Sequence, residues 1–249
     1  MALTVHQFPC LSDNYGFLIR DEATGKVATI DTPDAEAILA QLGQRGWGLD
    51  LILNTHWHPD HAGGNEALKA ATGATIAGPA EVTRIAPLDR VVRGGDVVML
   101  GDTRFEVIDS GGHTLGHVAY HDAADAIAFV GDTLFALGCG RLFEGTAEQM
   151  WSSLSRVAGL PDATTVYCAH EYTASNARFA LSVDDDPALQ ARAAAVFAAR
   201  ERGEPTVPTT IAAEKATNPF LRAPLLRPSA ASPAEAFAEI RAAKDSFKG

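Results

Sequence analysis

Cysteine is scarce in this 249-residue sequence: Cys10, Cys139 and Cys168 are odd in number, far apart, and form no Cys-x-x-Cys pair. That spacing argues against a disulfide framework and against a structural thiolate zinc site, and it fits a reducing compartment. No uninterrupted apolar run approaches the ~18 residues needed to cross a bilayer, and residues 1–6 carry neither the basic nor the apolar stretch of a signal peptide. The expectation is a soluble cytoplasmic protein with no membrane partner. Positive charge is also short, since 20 Lys and Arg against 31 Asp and Glu leave a formal net charge of −11 with no basic run. Phosphate contacts supply most nonspecific affinity for nucleic acid, so nucleic acid is not an expected partner. Repeats are absent, and alanine richness toward the C-terminus is the one compositional bias.

Hydrophobic residues make up 47% of the chain, ample for a sizeable core. Short β-branched and apolar runs bounded by Gly, Asp, Asn or Pro occur at 3–8, 15–20, 27–30, 49–53, 75–77, 97–100, 105–108, 118–120, 127–130 and 166–168, and predict strands. Helices are predicted between them at 33–45, started by Thr32 and Pro33, and at 147–157, where Thr146-x-x-Gln149 has the form of a capping box. The fold class is mixed α/β. Near Thr173 the strand signals cease. Alanine-rich helical stretches at 174–181 and 187–202 follow, then a proline-punctuated segment at 203–228. A last helix is announced by Ser232, Pro233 and Glu235 as N-cap, first-turn proline and capping-box glutamate. The expected organisation is a mixed α/β core domain over 1–173 and a helical appendage over 174–249.

The densest chemical signal is Thr55-His-Trp-His-Pro-Asp-His61, three imidazoles and a carboxylate directly after an apolar run. Polar groups buried without partners cost roughly 1–3 kcal/mol each, and a metal removes that cost. His113, Asp132 and His170 each sit beyond the end of another predicted strand, as His56, His58, Asp60 and His61 do, so four strand ends converge on one point. Gly63, Gly64, Gly111, Gly112, Gly116 and Gly131 permit tight turns beside them. Seven ligands with one bridging carboxylate supply enough bonds for two metals that each keep an open position. The expected arrangement places His56, His58 and His113 on one ion, Asp60, His61 and His170 on the other, with Asp132 between. Imidazole and carboxylate suit zinc, with iron or manganese as alternatives. Two divalent ions would also reverse the local field, letting an acidic protein draw an anion to its active-site mouth.

Other candidates are weighed against plainer roles. His6 and His121 lack ligand-like neighbours and read as surface or satisfied strand residues. His117 is near enough to His113 in sequence to support a ligand, or simply to hydrogen-bond structurally. Asp31, at the end of the 27–30 strand, either orients a ligand histidine or begins a turn, and Cys168 reads as an inert buried thiol. Arg241 and Lys244 share a helical face, which pattern alone assigns to solvated cations near a helix C-terminus.

The metal-ligand run, followed by Gly112-His-Thr, Gly131-Asp-Thr133 and Ala169-His-Glu-Tyr172, resembles the metallo-β-lactamase superfamily of binuclear hydrolases. More narrowly, the chain resembles the glyoxalase II, or hydroxyacylglutathione hydrolase, family. That likeness rests on Ser12-Asp-Asn-Tyr15, Gly131-Asp-Thr-Leu-Phe135, Gly138-Cys-Gly-Arg-Leu-Phe-Glu-Gly-Thr146, His170-Glu-Tyr-Thr173, Gly203-Glu-Pro-Thr-Val-Pro208, Asn218-Pro-Phe-Leu-Arg222 and Arg241-Ala-Ala-Lys-Asp-Ser-Phe247, nearly end to end.

The resemblance implies an αβ/βα sandwich as the catalytic domain over 1–173, with a C-terminal helical substrate-binding domain over 174–249. It implies hydrolysis of S-D-lactoylglutathione to glutathione and D-lactate by a metal-bridging hydroxide, the second step of methylglyoxal detoxification. It assigns Arg241 and Lys244 to the glycine carboxylate of glutathione, Tyr172 to the same pocket, and Arg141 to the peptide where many members carry lysine. Phe143 falls where some members carry tyrosine, removing one hydroxyl contact. Asn176 is a further pocket candidate, and Asp60 is expected to orient the hydroxide as well as bind metal. A monomer is expected. The rival readings are a glutathione persulfide dioxygenase of the same fold, disfavoured by the full ligand set and the basic C-terminal motif, a nuclease, disfavoured by charge, and a noncatalytic metal or redox carrier.

Overall fold

The computed structural model describes residues 3–249, which divide into two compact units: residues 3–109 with 116–131, and residues 110–115 with 132–249. In the first unit β1 (Leu3–Cys10) and β2 (Asn14–Asp21) form an antiparallel hairpin, and β3 (Val27–Ile30), β4 (Leu51–Leu53), β5 (Thr75–Gly78) and β6 (Arg90–Val91) extend the sheet in that order. From β3 onward the pairings are parallel. Parallel strands need crossovers, supplied here by α1 (Ala35–Arg45), then the short α2 (Pro59–Ala62) with α3 (Asn65–Thr72).

Burial on both faces explains the unbroken apolar runs of β2 and β4. Leu18 and Ile52 face the helices, packing with Ile38, Leu42 and Leu68. Phe17, on the opposite face of β2, meets Phe129 at 5.7 Å between ring centroids. Phe129 belongs to a second sheet in this unit, where β7 (Val97–Leu100), β8 (Thr103–Asp109), β9 (Val118–Asp122) and β10 (Ile127–Gly131) meander antiparallel. The two sheets of the unit are tied by Asp21, whose carboxylate accepts the Asp102 and Thr103 amides, and by the Tyr120 hydroxyl, which donates to the Asn54 carbonyl at 2.7 Å.

The second unit holds the hairpin β11 (Leu134–Phe135) and β12 (Gly138–Cys139), the pair β13 (Thr165–Cys168) and β14 (Thr209–Thr210), and the helices α4 (Ala147–Ala158), α5 (Thr173–Val183), α6 (Pro187–Glu201), α7 (Ile211–Thr217), α8 (Ala223–Leu226) and α9 (Pro233–Ser246). Buried Glu214 on α7 organises it, accepting from the Leu137 amide, Asn218 and Thr209 and pairing with Arg192 on α6.

Several expectations change in detail. The helix expected from 33 starts at Ala35, because Asp34 rather than Thr32 caps it, its side chain accepting the Ala37 amide at 3.0 Å. Thr32 instead bonds Asn65 and the His61 carbonyl, tying down the loop that carries His61. The Thr146 and Gln149 capping box forms as expected. In the last helix Ser232 accepts the Glu235 amide, but Glu235 reaches Ala231 instead of closing the box on Ser232. Strand pairing does not stop at Thr173: β14 lies in the segment expected to be irregular, too short to leave a periodic signal.

Candidate metal centre

In the first unit, β3 and β4 are in parallel register with Ile30 opposite Leu53, so the residues just past their ends lie side by side. Functional loops in parallel sheets gather at these carboxyl ends. Asp31 takes a left-handed backbone, φ 57°, which an aspartate tolerates better than most residues. Its Oδ1 accepts the Thr55 amide at 2.7 Å, while its Oδ2 accepts the Thr55 hydroxyl at 2.8 Å and faces His61 Nδ1 at 2.8 Å. The carboxylate therefore holds the proton on His61 Nδ1 and presents Nε2 as the lone-pair atom. Thr55, having donated to Asp31, accepts from His56 Nδ1 at 3.0 Å, which leaves the lone pair of His56 on Nε2 as well. One buried carboxylate thus sets the tautomer of two imidazoles. Asp31, left open between two roles by the sequence, is the residue that orients them.

His56 Nε2 faces His58 Nδ1 at 3.0 Å, and His61 Nε2 lies 3.4 Å from Asp60 Oδ2. Ligands sharing one tetrahedral zinc at 2.0–2.1 Å stand about 3.3 Å apart, so these separations fit shared coordination. His117 stacks on His56 with ring centroids 4.8 Å apart, bracing that ring. Gly131 makes room for this: at φ 47°, a Cβ there would lie 2.7 Å from both His117 Nε2 and Thr55 Oγ1.

In the second unit Asp132 lies between two imidazoles, Oδ2 facing His113 Nε2 at 3.4 Å and Oδ1 facing His170 Nε2 at 3.3 Å. Each oxygen faces a different ring, an arrangement compatible with a carboxylate shared between two ions. The Arg141 carbonyl accepts from His113 Nδ1 at 2.9 Å, directing the His113 lone pair to Nε2. Gly140 leaves room there, since a Cβ would lie 3.1 Å from His113 Nδ1 and 2.0 Å from the Asp132 carbonyl oxygen. His170 stacks on Tyr172, centroids 4.7 Å apart and planes 2° apart.

A cavity of about 540 Å³ in this unit opens on His113 and Asp132, and Arg141, Phe143, Tyr172, Arg241 and Lys244 line it. All five residues assigned to substrate by resemblance thus share one cavity. The plainer reading of Arg241 and Lys244 as solvated cations does not hold. Arg241 is buried over the Phe220 ring, donating to the Cys139 carbonyl at 3.2 Å and to Asp245 at 2.7 Å. Lys244 is half-buried and donates to the Ser175 carbonyl at 3.3 Å. Burial first, then Arg241 and Arg141, depress the Lys244 pKa below the ordinary lysine value. A pocket so crowded with cations favours an anionic ligand. Asn176 also lines it, its amide donating to the Ala136 carbonyl at 3.1 Å. Ser175 and Asp245, which hold the two cations, were not identified from the sequence; only the helical spacing of Arg241 and Asp245 hinted at a partner.

Cys10, Cys139 and Cys168 are all free and buried, and burial raises the Cys168 thiol to about 12, so it is inert as expected. His6 is satisfied by Gln41 at 2.7 Å. His121 is a buried strand residue whose pKa is lowered by desolvation.

Residues 22–170 match the metallo-β-lactamase superfamily, and residues 171–247 match the hydroxyacylglutathione hydrolase C-terminus. The chain is 59% identical over 253 residues to the hydroxyacylglutathione hydrolase of Maricaulis maris strain MCS10, covering 98% of this chain and 99% of that protein. Among solved structures it is similar to ETHE1 from Myxococcus xanthus, with a TM-score of 0.73, 28% identity, and coverage of 100% of this chain and 93% of that one. It is also similar to TTHA1623 in a di-iron-bound form, at a TM-score of 0.64 and 25% identity, covering 88% and 100%.

Proposed function

The chain belongs to the hydroxyacylglutathione hydrolases of the metallo-β-lactamase superfamily, and from that premise we propose how its own residues carry the reaction. It is a hydrolase that converts an S-2-hydroxyacylglutathione and water to glutathione and a 2-hydroxy acid, with S-D-lactoylglutathione as the substrate assigned to it. The observation that carries the reading is the single cavity joining the His113 and Asp132 edge to Arg141, Arg241 and Lys244.

His56, His58 and His113 are assigned to one divalent ion and Asp60, His61 and His170 to the other, with Asp132 shared. The paired lone-pair nitrogens and the divided Asp132 carboxylate support this assignment. Zinc is the assigned metal, with iron and manganese as alternatives that the same donors accept. The bound ions would supply acidification of water and positive charge beside the carbonyl oxygen of the thioester.

The remaining work falls to side chains. Asp60 orients the attacking water. Arg241 and Lys244 bind the glycine carboxylate of glutathione by charge-assisted hydrogen bonds, with Tyr172 beside them. Arg141 contacts the peptide, and Phe143 offers a ring where a tyrosine would add a hydroxyl. The thiolate is a good leaving group, so no dedicated acid is required. Residues 1–173 are assigned to catalysis and 174–249 to substrate binding. Among the described residues no helix is long and apolar enough to cross a membrane. Three free thiols support a cytoplasmic setting, and the acidic net charge supports a monomer acting without nucleic acid.

The test compares S-D-lactoylglutathione with the D-lactoyl thioester of N-acetylcysteamine, reading released thiol. A kcat/KM at least ~100-fold higher for the glutathione thioester is expected if two charge-assisted bonds hold the tripeptide. Equal values would remove glutathione from the cavity.

A further inference from the structure

Asn14, in the Ser12-Asp-Asn-Tyr15 motif, is not among the residues assigned to metal or substrate. It begins β2 opposite Cys10, so the register of the hairpin fixes its position. It is buried, 6% exposed, and its side-chain amide reaches residue 60 in the same unit. Nδ2 lies 3.1 Å from Asp60 Oδ2 and 3.4 Å from the Asp60 carbonyl oxygen.

The amide can take only one orientation here. Flipping it would set the Asn14 carbonyl oxygen against a carboxylate and a carbonyl, three acceptors with no proton among them. Asp60 lies in the first turn of a four-residue helix and its side chain is 38% exposed, whereas His61 beside it is 1% exposed. The amide donates to the same oxygen, Oδ2, that lies 3.4 Å from His61 Nε2.

We propose that Asn14 is a positioning residue for the hydrolysis, fixing the Asp60 carboxylate in the orientation in which it joins His61 on one metal ion. The inference rests on the reading of Asp60 as a ligand. Outer partners of metal ligands typically change metal affinity or activity by about 10–100-fold when removed. The hairpin thus has a catalytic duty as well as an architectural one.

The test uses full-length apoprotein and measures the affinity of both zinc equivalents by competition with a chromophoric chelator. The visible spectrum of the cobalt-loaded protein and the kcat and KM for the thioester are recorded in parallel. Asn14→Ala is expected to weaken one equivalent by about 10–100-fold, shift the cobalt spectrum, and lower kcat with KM unchanged. Asn14→Asp keeps the shape, replaces the donor with a second carboxylate, and is expected to lose more. Wild-type affinity and spectrum for both equivalents in Asn14→Asp would overturn the proposal, even if Asn14→Ala fails to fold. Asp60→Asn separates the two readings. If it weakens one equivalent while the Asn14 variants do not, only the role of Asn14 fails; if it leaves both unchanged, the reading of Asp60 as a ligand fails with it.

Discussion

Replacing Lys244 by alanine separates binding from stability in a way that no purely structural lysine would. In the free protein its amine is half-buried beside Arg241 and Arg141, and burial is the larger cause of its lowered pKa. A lysine with a lowered folded-state pKa weakens the fold while it is charged. The penalty is fully present below the folded pKa and disappears as pH rises above the unfolded value of about 10.4. At neutral pH, Lys244→Ala therefore relieves a penalty, while it loses contacts of the amine over Phe179 at 5.3 Å and Phe247 at 5.7 Å. Exposed cation–π contacts are worth about 0.5–1 kcal/mol, so the two changes offset and the unfolding free energy should stay within about 1 kcal/mol of wild type. Binding behaves differently. A hydrogen bond to a charged group contributes about 1.5–3 kcal/mol, and each 1.4 kcal/mol is about tenfold. Solvent reaches half of this group, so the lower end applies, and KM should rise about tenfold at constant kcat. Initial rates of S-D-lactoylglutathione hydrolysis and urea unfolding on the same preparation measure both. The wild-type KM should also climb as pH rises toward 10, earlier than for Lys244→Arg. An unchanged KM with a large loss of stability would refute the reasoning.

Three further outcomes are expected. Asp31→Ala removes the acceptor that orients His61 and, through Thr55, His56, and should weaken metal binding by about 10–100-fold in chelator competition. Glu214→Ala leaves Arg192 beside an emptied buried site and the Leu137 amide without its acceptor, so urea unfolding should show a loss of about 3 kcal/mol. Asp60→Asn should lower kcat far more than it changes KM, since the role proposed for it, orienting the attacking water, acts only in the transition state.

The parts legible in the sequence were those written in local pattern. His56 to His61 directly follow the apolar run of β4, and the capping residues Thr146 and Gln149 lie three positions apart, so neighbours alone declare both. Asp34 displaced Thr32 as the cap of α1 because Thr32 is drawn to Asn65, 33 residues away. The same limit hid the duties of Asp31 and Asn14, whose partners His61 and Asp60 lie 30 and 46 residues on, brought near by strand register and hairpin geometry. Arg241 and Lys244 read as surface cations because helical spacing reports which residues share a face, not what covers it. Phe220 and Ser175, which meet them, come from other helices and loops.

The most direct test is stepwise reconstitution of the chelated protein, with bound metal and S-D-lactoylglutathione hydrolysis measured at each addition. The account predicts no turnover by the metal-free chain and an activity that levels off at two equivalents per chain. Full activity with one equivalent, or turnover persisting without metal, would contradict it.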